Sequence, residues 1–170
     1  MKTLLLIRHA KSSWASPEIR DFDRPLNKRG TRNVSEMAFR LQQKGIVIDA
    51  FVSSPAHRAI TTARLFARSF GVGENSIIPI PELYDAEADI FLQVIRALDN
   101  RFKTVAIFGH NPAITDFANS LGVSAIDNLP TCGIFSLRID SNDWTCFEDA
   151  PKELIFFDFP KNNPIHRDSI

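Results

Sequence analysis

The chain is 170 residues long, room for about one domain with a real core. Its 20 Lys and Arg offset 20 Asp and Glu, so no net field argues for nucleic acid or an anionic membrane, and any anion site must be a local gathering of cations. No apolar run approaches the roughly 18 residues of a membrane span, and the chain reads as a soluble cytoplasmic protein.

Leu4 to Ile7 is a short aliphatic run behind Lys2, too brief for a secretory h-region of roughly 7–15 residues. Thr3–Arg8 reads instead as a buried strand, apolar without alternation, that stops on the adjacent pair Arg8-His9. A polar loop follows through Ser16-Pro17 and Asp21 to Pro25. Asn27 looks like the N-cap of a helix that Gly45 closes, with Val34, Met37, Ala38 and Leu41 at helical spacing. Ile48–Val52 is a second strand, ending in Ser53-Ser54-Pro55, and Ala56–Phe70 is a helix stopped by Gly71. A short strand over Ile77–Ile80, a helix over Asp89–Leu98 and a long apolar strand over Thr104–Phe108 come next. The last runs into Gly109-His110-Asn111-Pro112 and a helix over Ile114–Leu121. From Gly133 the texture changes, and Ile134–Ile139 and Leu154–Phe159 look antiparallel around a turn at Ser141-Asn142-Asp143. Cys132 and Cys146 lack metal-ligand spacing and are expected as small buried thiols. The alternation predicts an α/β fold of three layers: a mostly parallel sheet, helices on both faces, antiparallel strands from the C-terminal part. One domain over residues 1–160 and a patternless tail over 161–170 complete the expectation.

Ligands of open α/β sheets bind outside the carboxyl ends of the strands. There the predicted strands deliver Arg8-His9, Ser54-Pro55 with Arg58 just beyond, and Gly109-His110. Two histidines thus meet two arginines, in a chain with four histidines. Of the others, His57 reads as a helix-surface residue and His166 as a solvated tail residue. Zinc would want Cys, Asp or a third His to complete its shell, and nearby arginines would oppose it. Phosphate is the natural occupant, since guanidinium forks match phosphoryl oxygens and a helix start near Pro55 adds N–H donors. Histidine is a competent nucleophile, and surrounding cations are expected to lower its pKa and keep a ring nitrogen free.

Five stretches in order, "RHAKSSW", "DFDRPLNKRG", "SSPAHRAITTA", "ELYDAE" and "GHNP", resemble the histidine phosphatase (phosphoglycerate mutase-like) superfamily, and more closely its SixA-type phosphohistidine phosphatases. The resemblance spans roughly residues 1–160. It implies His9 as the phosphorylated nucleophile, with Arg8, Arg58 and His110 as the phosphate pocket and Arg24 as a further phosphate ligand. For Arg24 the competing role is an ion pair with Asp21 or Asp23. Asn111 is expected near the pocket, where capping the following helix competes. Larger members carry an acid after the third strand. In "PELYDAEAD" Glu82, Asp85 and Glu87 all compete for that role, and position relative to Leu83 favours Asp85. SixA-type members resemble this chain in lacking a clear acid there.

The expected reaction is two phosphoryl transfers, onto His9 and then to water, with arginines supplying the charge and neither metal nor cofactor required. Short loops suggest a shallow, open pocket, which favours a phosphohistidine-bearing protein as partner over a small phosphorylated molecule. Two other readings remain open at this point: a small-molecule phosphomonoesterase or mutase, and a phosphate-binding module without turnover. Retaining His9 speaks against the last.

Overall fold

A computed structural model of the chain describes residues 1–162. Six strands form one sheet in the order β3-β2-β4-β1-β5-β6. These are β1 (Lys2–Arg8), β2 (Ala50–Ser53), β3 (Ile78–Pro79), β4 (Thr104–Gly109), β5 (Ile134–Ile139) and β6 (Lys152–Asp158). β3, β2, β4 and β1 run parallel, while β5 pairs antiparallel with both β1 and β6. The helices are α1 (Lys28–Gln43), α2 (His57–Ser69), α3 (Ala88–Arg96) and α4 (Ala113–Ser120). The mixed sheet and its two helical faces match the expected architecture. The expected tail beyond Asn162, His166 included, lies outside the described residues.

The uninterrupted apolarity of β1 has a direct cause. Successive strand side chains point to opposite faces, and both faces are covered. Leu5 and Ile7 join the core under α1 and α2, with Val34, Met37, Ala63 and Phe66. Leu4 and Leu6 join the other core, with Phe91 and Ile95 of α3 and Ile114 and Phe117 of α4. β4 divides in the same way, Ala106 and Phe108 to one side, Val105 and Ile107 to the other.

Local chemistry sets the helix ends that matter for the site. Asn27 caps α1 by accepting the Gly30 N–H at 2.8 Å. Gly30 is required by close approach: a Cβ there would lie 2.2 Å from the Lys11 carbonyl oxygen. Lys11 in turn accepts the Asn27 N–H at 3.0 Å, so the start of α1 is clamped onto the chain just past His9. Cys132 is buried as expected, but Cys146 is exposed. It lies on a one-turn helix beyond β5 that turns Trp144 and the following Phe147 into the core under α3 and α4 and leaves Cys146 on its outer side.

Candidate active site

The carboxyl ends of β1, β2 and β4 lie side by side, because β1 and β4 pair in register to Arg8 opposite Gly109 and β2 meets β4 at Ser53 opposite Phe108. His9 follows β1, and its N–H bonds the Gly109 carbonyl at 3.1 Å. Arg58 lies in the first turn of α2, and His110 follows β4. The ring centroids of His9 and His110 are 5.1 Å apart. Arg58 Nε reaches His9 Nε2 at 3.3 Å. The four residues expected to converge do so.

The tautomer of His9 follows from its partners. Nδ1 lies 2.8 Å from the Ala10 carbonyl, which can only accept, so Nδ1 carries the proton and Nε2 presents its lone pair toward Arg58. Burial lowers the His9 pKa to about 3 against the raising effect of the Ala10 carbonyl, and His110, Arg58 and Arg8 add repulsion. His110 is lowered to about 4, again chiefly by burial and next by Arg58. Cations were expected to supply this shift. The structure makes burial the larger cause, since charging an imidazole costs most where water is excluded. His9 and Arg58 are only 7% and 6% exposed, so the reaction centre is more enclosed than short loops suggested.

That enclosure comes from the loop joining β1 to α1, which folds back over the arginines. The Asp21 carboxylate accepts from Arg24 at 2.9 Å, Arg58 at 3.1 Å and the Tyr84 hydroxyl at 3.0 Å. Its main-chain carbonyl takes a second bond from Arg58 at 2.7 Å. Burial raises the Asp21 pKa, but the bonds from Arg24, Tyr84 and Arg58 outweigh it and bring the value down to about 2. The ion pair that competed for Arg24 therefore exists. It does not remove Arg24 from the site, because the Arg24 side chain is 11% exposed, also donates to Ser12 Oγ, and adds to the lowering of the His110 pKa.

Several buried donors here lack a protein partner: Arg8 Nε, Arg24 Nε and His110 Nδ1. Arg8 spends one nitrogen on the Leu129 carbonyl, 3.1 Å away. Ser54 Oγ accepts the Ala56 N–H at 3.3 Å and sits 2.7 Å from His110 Nε2. Its own hydrogen is then free for Nε2, which leaves Nδ1 of His110 protonated. Buried donors are almost always paired in proteins, and an oxyanion is the group whose chemistry would satisfy all three.

The remaining candidates sit further out. Asn111 bonds Thr115 at 2.6 Å, the Leu129 carbonyl at 3.2 Å and Asn128. It thus braces the loop that also holds Arg8, and Pro112 is the N-cap of α4. Asp85 is exposed in a left-handed conformation, φ +57°, beside Tyr84. Glu82 lines a separate, largely apolar cleft of about 490 Å³ with Ile80, Ile90 and Phe102. Glu87 precedes α3 at its N-cap. Among the described residues, none of the three acids hydrogen-bonds Arg8, His9, Arg58 or His110, and no cluster of His, Cys, Asp or Glu is placed to hold a metal ion.

Asp21 was expected only as an ion-pair partner competing for Arg24, and Tyr84 and Ser54 were given no role. All three lay inside the quoted motifs, and only their partners reveal what they do. Tyr84 packs its ring edge-on against His110, 5.9 Å between centroids.

The family model of the histidine phosphatase superfamily (branch 1) matches residues 4–91. That is 88 of 170 residues, and it includes Arg8, His9, Arg24 and Arg58. The chain belongs to the histidine phosphatase superfamily. An uncharacterized chloroplastic protein of Arabidopsis thaliana is 31% identical over 84% of this chain and 69% of its own length. A solved structure from Agrobacterium tumefaciens, named for a phosphohistidine phosphatase SixA, is 28% identical, with a TM-score of 0.72 over 92% of this chain and 96% of that one. The protein histidine phosphatase SixA solved with tungstate shares the fold at a TM-score of 0.78 and 20% identity, over 93% and 97% of the two chains. No helix among the described residues is long and apolar enough to cross a membrane.

Proposed function

We propose that this protein is a metal-independent phosphohistidine phosphatase that works on proteins through a phospho-His9 intermediate. The observation that carries the reading is His9 itself: Nδ1–H fixed on the Ala10 carbonyl, Nε2 unprotonated, and Arg58 beside it. A binder without turnover gains nothing from a nucleophile so oriented.

The geometry supports the following sequence. Nε2 of His9 attacks phosphorus in line, forming a P–N bond as the substrate's P–N bond breaks and its imidazole leaves. Arg8, Arg58, His110 and Arg24 stabilise charge on the equatorial oxygens, the role magnesium plays in other phosphoryl transfers. Phosphorylation at Nε2 gives His9 imidazolium character, which the Ala10 carbonyl steadies through Nδ1–H. Water then attacks phosphorus, and His9 departs as the neutral imidazole it was. The phosphohistidine substrate is favoured by the SixA-type relative and by the carboxylates. Among the described residues Glu82, Asp85 and Glu87 make no hydrogen bond into the site, and Asp21, which does, is held ionised at a pKa of about 2 and has no proton to give. A phosphohistidine whose other ring nitrogen carries a proton expels neutral imidazole, whose conjugate acid has a pKa of about 6.5, and needs no proton from the enzyme, whereas an alkoxide does.

Rapid quench with a protein phosphorylated on histidine with ³²P should trap label on His9, and His9→Ala should abolish turnover while the fold survives. Activity should survive chelators and fall competitively with vanadate. Label on no histidine would overturn the covalent route, and faster turnover of phosphorylated metabolites would move the substrate to small molecules.

A further inference from the structure

Trp14 is 73% exposed, the most exposed large hydrophobic side chain among the described residues. One face of its indole lies over Arg24, 3.8 Å from guanidinium carbon to ring centroid. Arg24 does not depend on that contact, because Asp21 and Ser12 already hold its nitrogens. The other face is left to water. Ile19 and Phe22 of the same loop are also exposed, at 39% and 36%. Phe22 abuts Tyr84 at 5.0 Å between ring centroids, and Tyr84 shares Asp21 with Arg24. An apolar rim therefore continues directly into the phosphate pocket, at its solvent side.

We propose that Trp14, with Ile19 and Phe22, forms the docking surface for the protein that carries the phosphohistidine, gripping apolar surface around the modified residue. The proposal rests on the functional reading above and adds where the partner is held. A protein carrying the modified histidine would lay its own surface against this loop, and exposed aromatic anchors of this kind dominate protein interfaces, tryptophan foremost.

The test compares two substrates with the same P–N bond: phosphoramidate itself, and a protein phosphorylated on a surface histidine with phosphoramidate. Trp14→Ala should raise KM for the phosphoprotein about tenfold, the scale of one interface anchor, with kcat unchanged. Constants for phosphoramidate should stay within about twofold of the wild type, well short of that anchor effect. Ile19→Ser, which does not touch Arg24, should shift the same KM in the same direction by less. Trp14→Phe, which keeps an aromatic face, should recover most of the loss. Equal losses on both substrates would mean Trp14 merely seats Arg24, and no loss on the phosphoprotein would mean the rim is idle. Either result overturns the docking role while leaving the functional reading intact. A wild-type protein that cleaves phosphoramidate and no phosphoprotein would overturn the reading and the docking role together.

Discussion

His9 owes its readiness to one backbone contact and one neighbour. With Nδ1–H on the Ala10 carbonyl and a pKa near 3, its imidazole should remain neutral at pH 5.5. Nitrogen-resolved NMR of the labelled ring should show the Nδ1–H tautomer there, and a protonated ring would contradict the buried geometry. The same depression sets a sign for stability. Above pH 6.5 neither state binds a proton at His9 or His110, but between 6.5 and about 3–4 the unfolded chain binds them and the native one resists. Asp21, lowered from 3.8 to about 2, acts the same way further down. Urea midpoints should therefore fall steadily from pH 7 toward 4, and a double variant, His9→Asn with His110→Asn, should flatten that slope. Asp21 also has a catalytic consequence. Asp21→Asn removes the charge that joins Arg24, Arg58 and Tyr84, and hydrogen bonds to charged groups are worth about 1.5–3 kcal/mol. A fall of about 10–100-fold in kcat/KM on phosphohistidine is expected, with weaker vanadate inhibition. By contrast, Asp85→Asn and Glu82→Gln should leave phosphohistidine turnover almost intact. A loss approaching the roughly 10²–10⁴-fold of a true general acid would reveal one.

At the scale of the elements, the start of α1 shows how a motif can be about packing while sitting beside the chemistry. "PLNKRG" reads as a helix start, and Asn27 is indeed the cap. The need for glycine at position 30 has a different origin, the Lys11 carbonyl pressed against its Cα face. Gly30→Ala forces either the helix or the strand exit to move, and overpacking of this kind costs about 1–3 kcal/mol. Chemical denaturation should record that loss. Activity should drop as well, because Lys11 is two residues from His9. The short strand shows the converse. Ile77–Ile80 reads as a strand four residues long, but the paired strand is Ile78–Pro79, with Ile80 adding one N–H to the Ser53 carbonyl at 2.9 Å before a one-turn helix begins at Pro81.

Over the whole molecule, the candidate site lies at the carboxyl ends of β1, β2 and β4, while a buried cluster around Trp144 closes the other end of the sheet. Beyond the amino end of β4, Trp144 is fully buried and its indole N–H donates to the Phe102 carbonyl at 3.0 Å. Lys2, 3% exposed, donates to the Asn100 and Phe102 carbonyls at 2.6 and 2.8 Å. Trp144→Ala should cost about 3–5 kcal/mol, as other large-to-small core changes do, read as a lower urea midpoint. The kcat of the protein that remains folded should be unchanged, since nothing in that cluster touches His9.

In the sequence by itself, local periodicity, caps and breakers were enough to read the longer strands, the helices, the parallel-then-antiparallel order, and the convergence of Arg8, His9 and His110 at strand ends with Arg58 in the first turn of α2. The sequence also carried the superfamily. Residue type alone could not say that Asp21 would bridge Arg24 and Arg58, that Tyr84 would reach the same carboxylate, or that Glu82 would face a different cleft. Those outcomes depend on how a loop of irregular backbone folds across the sheet, where no periodicity acts. Tertiary structure likewise decided that burial, more than charge, keeps His9 neutral, since solvent exclusion is a property of everything packed around a group.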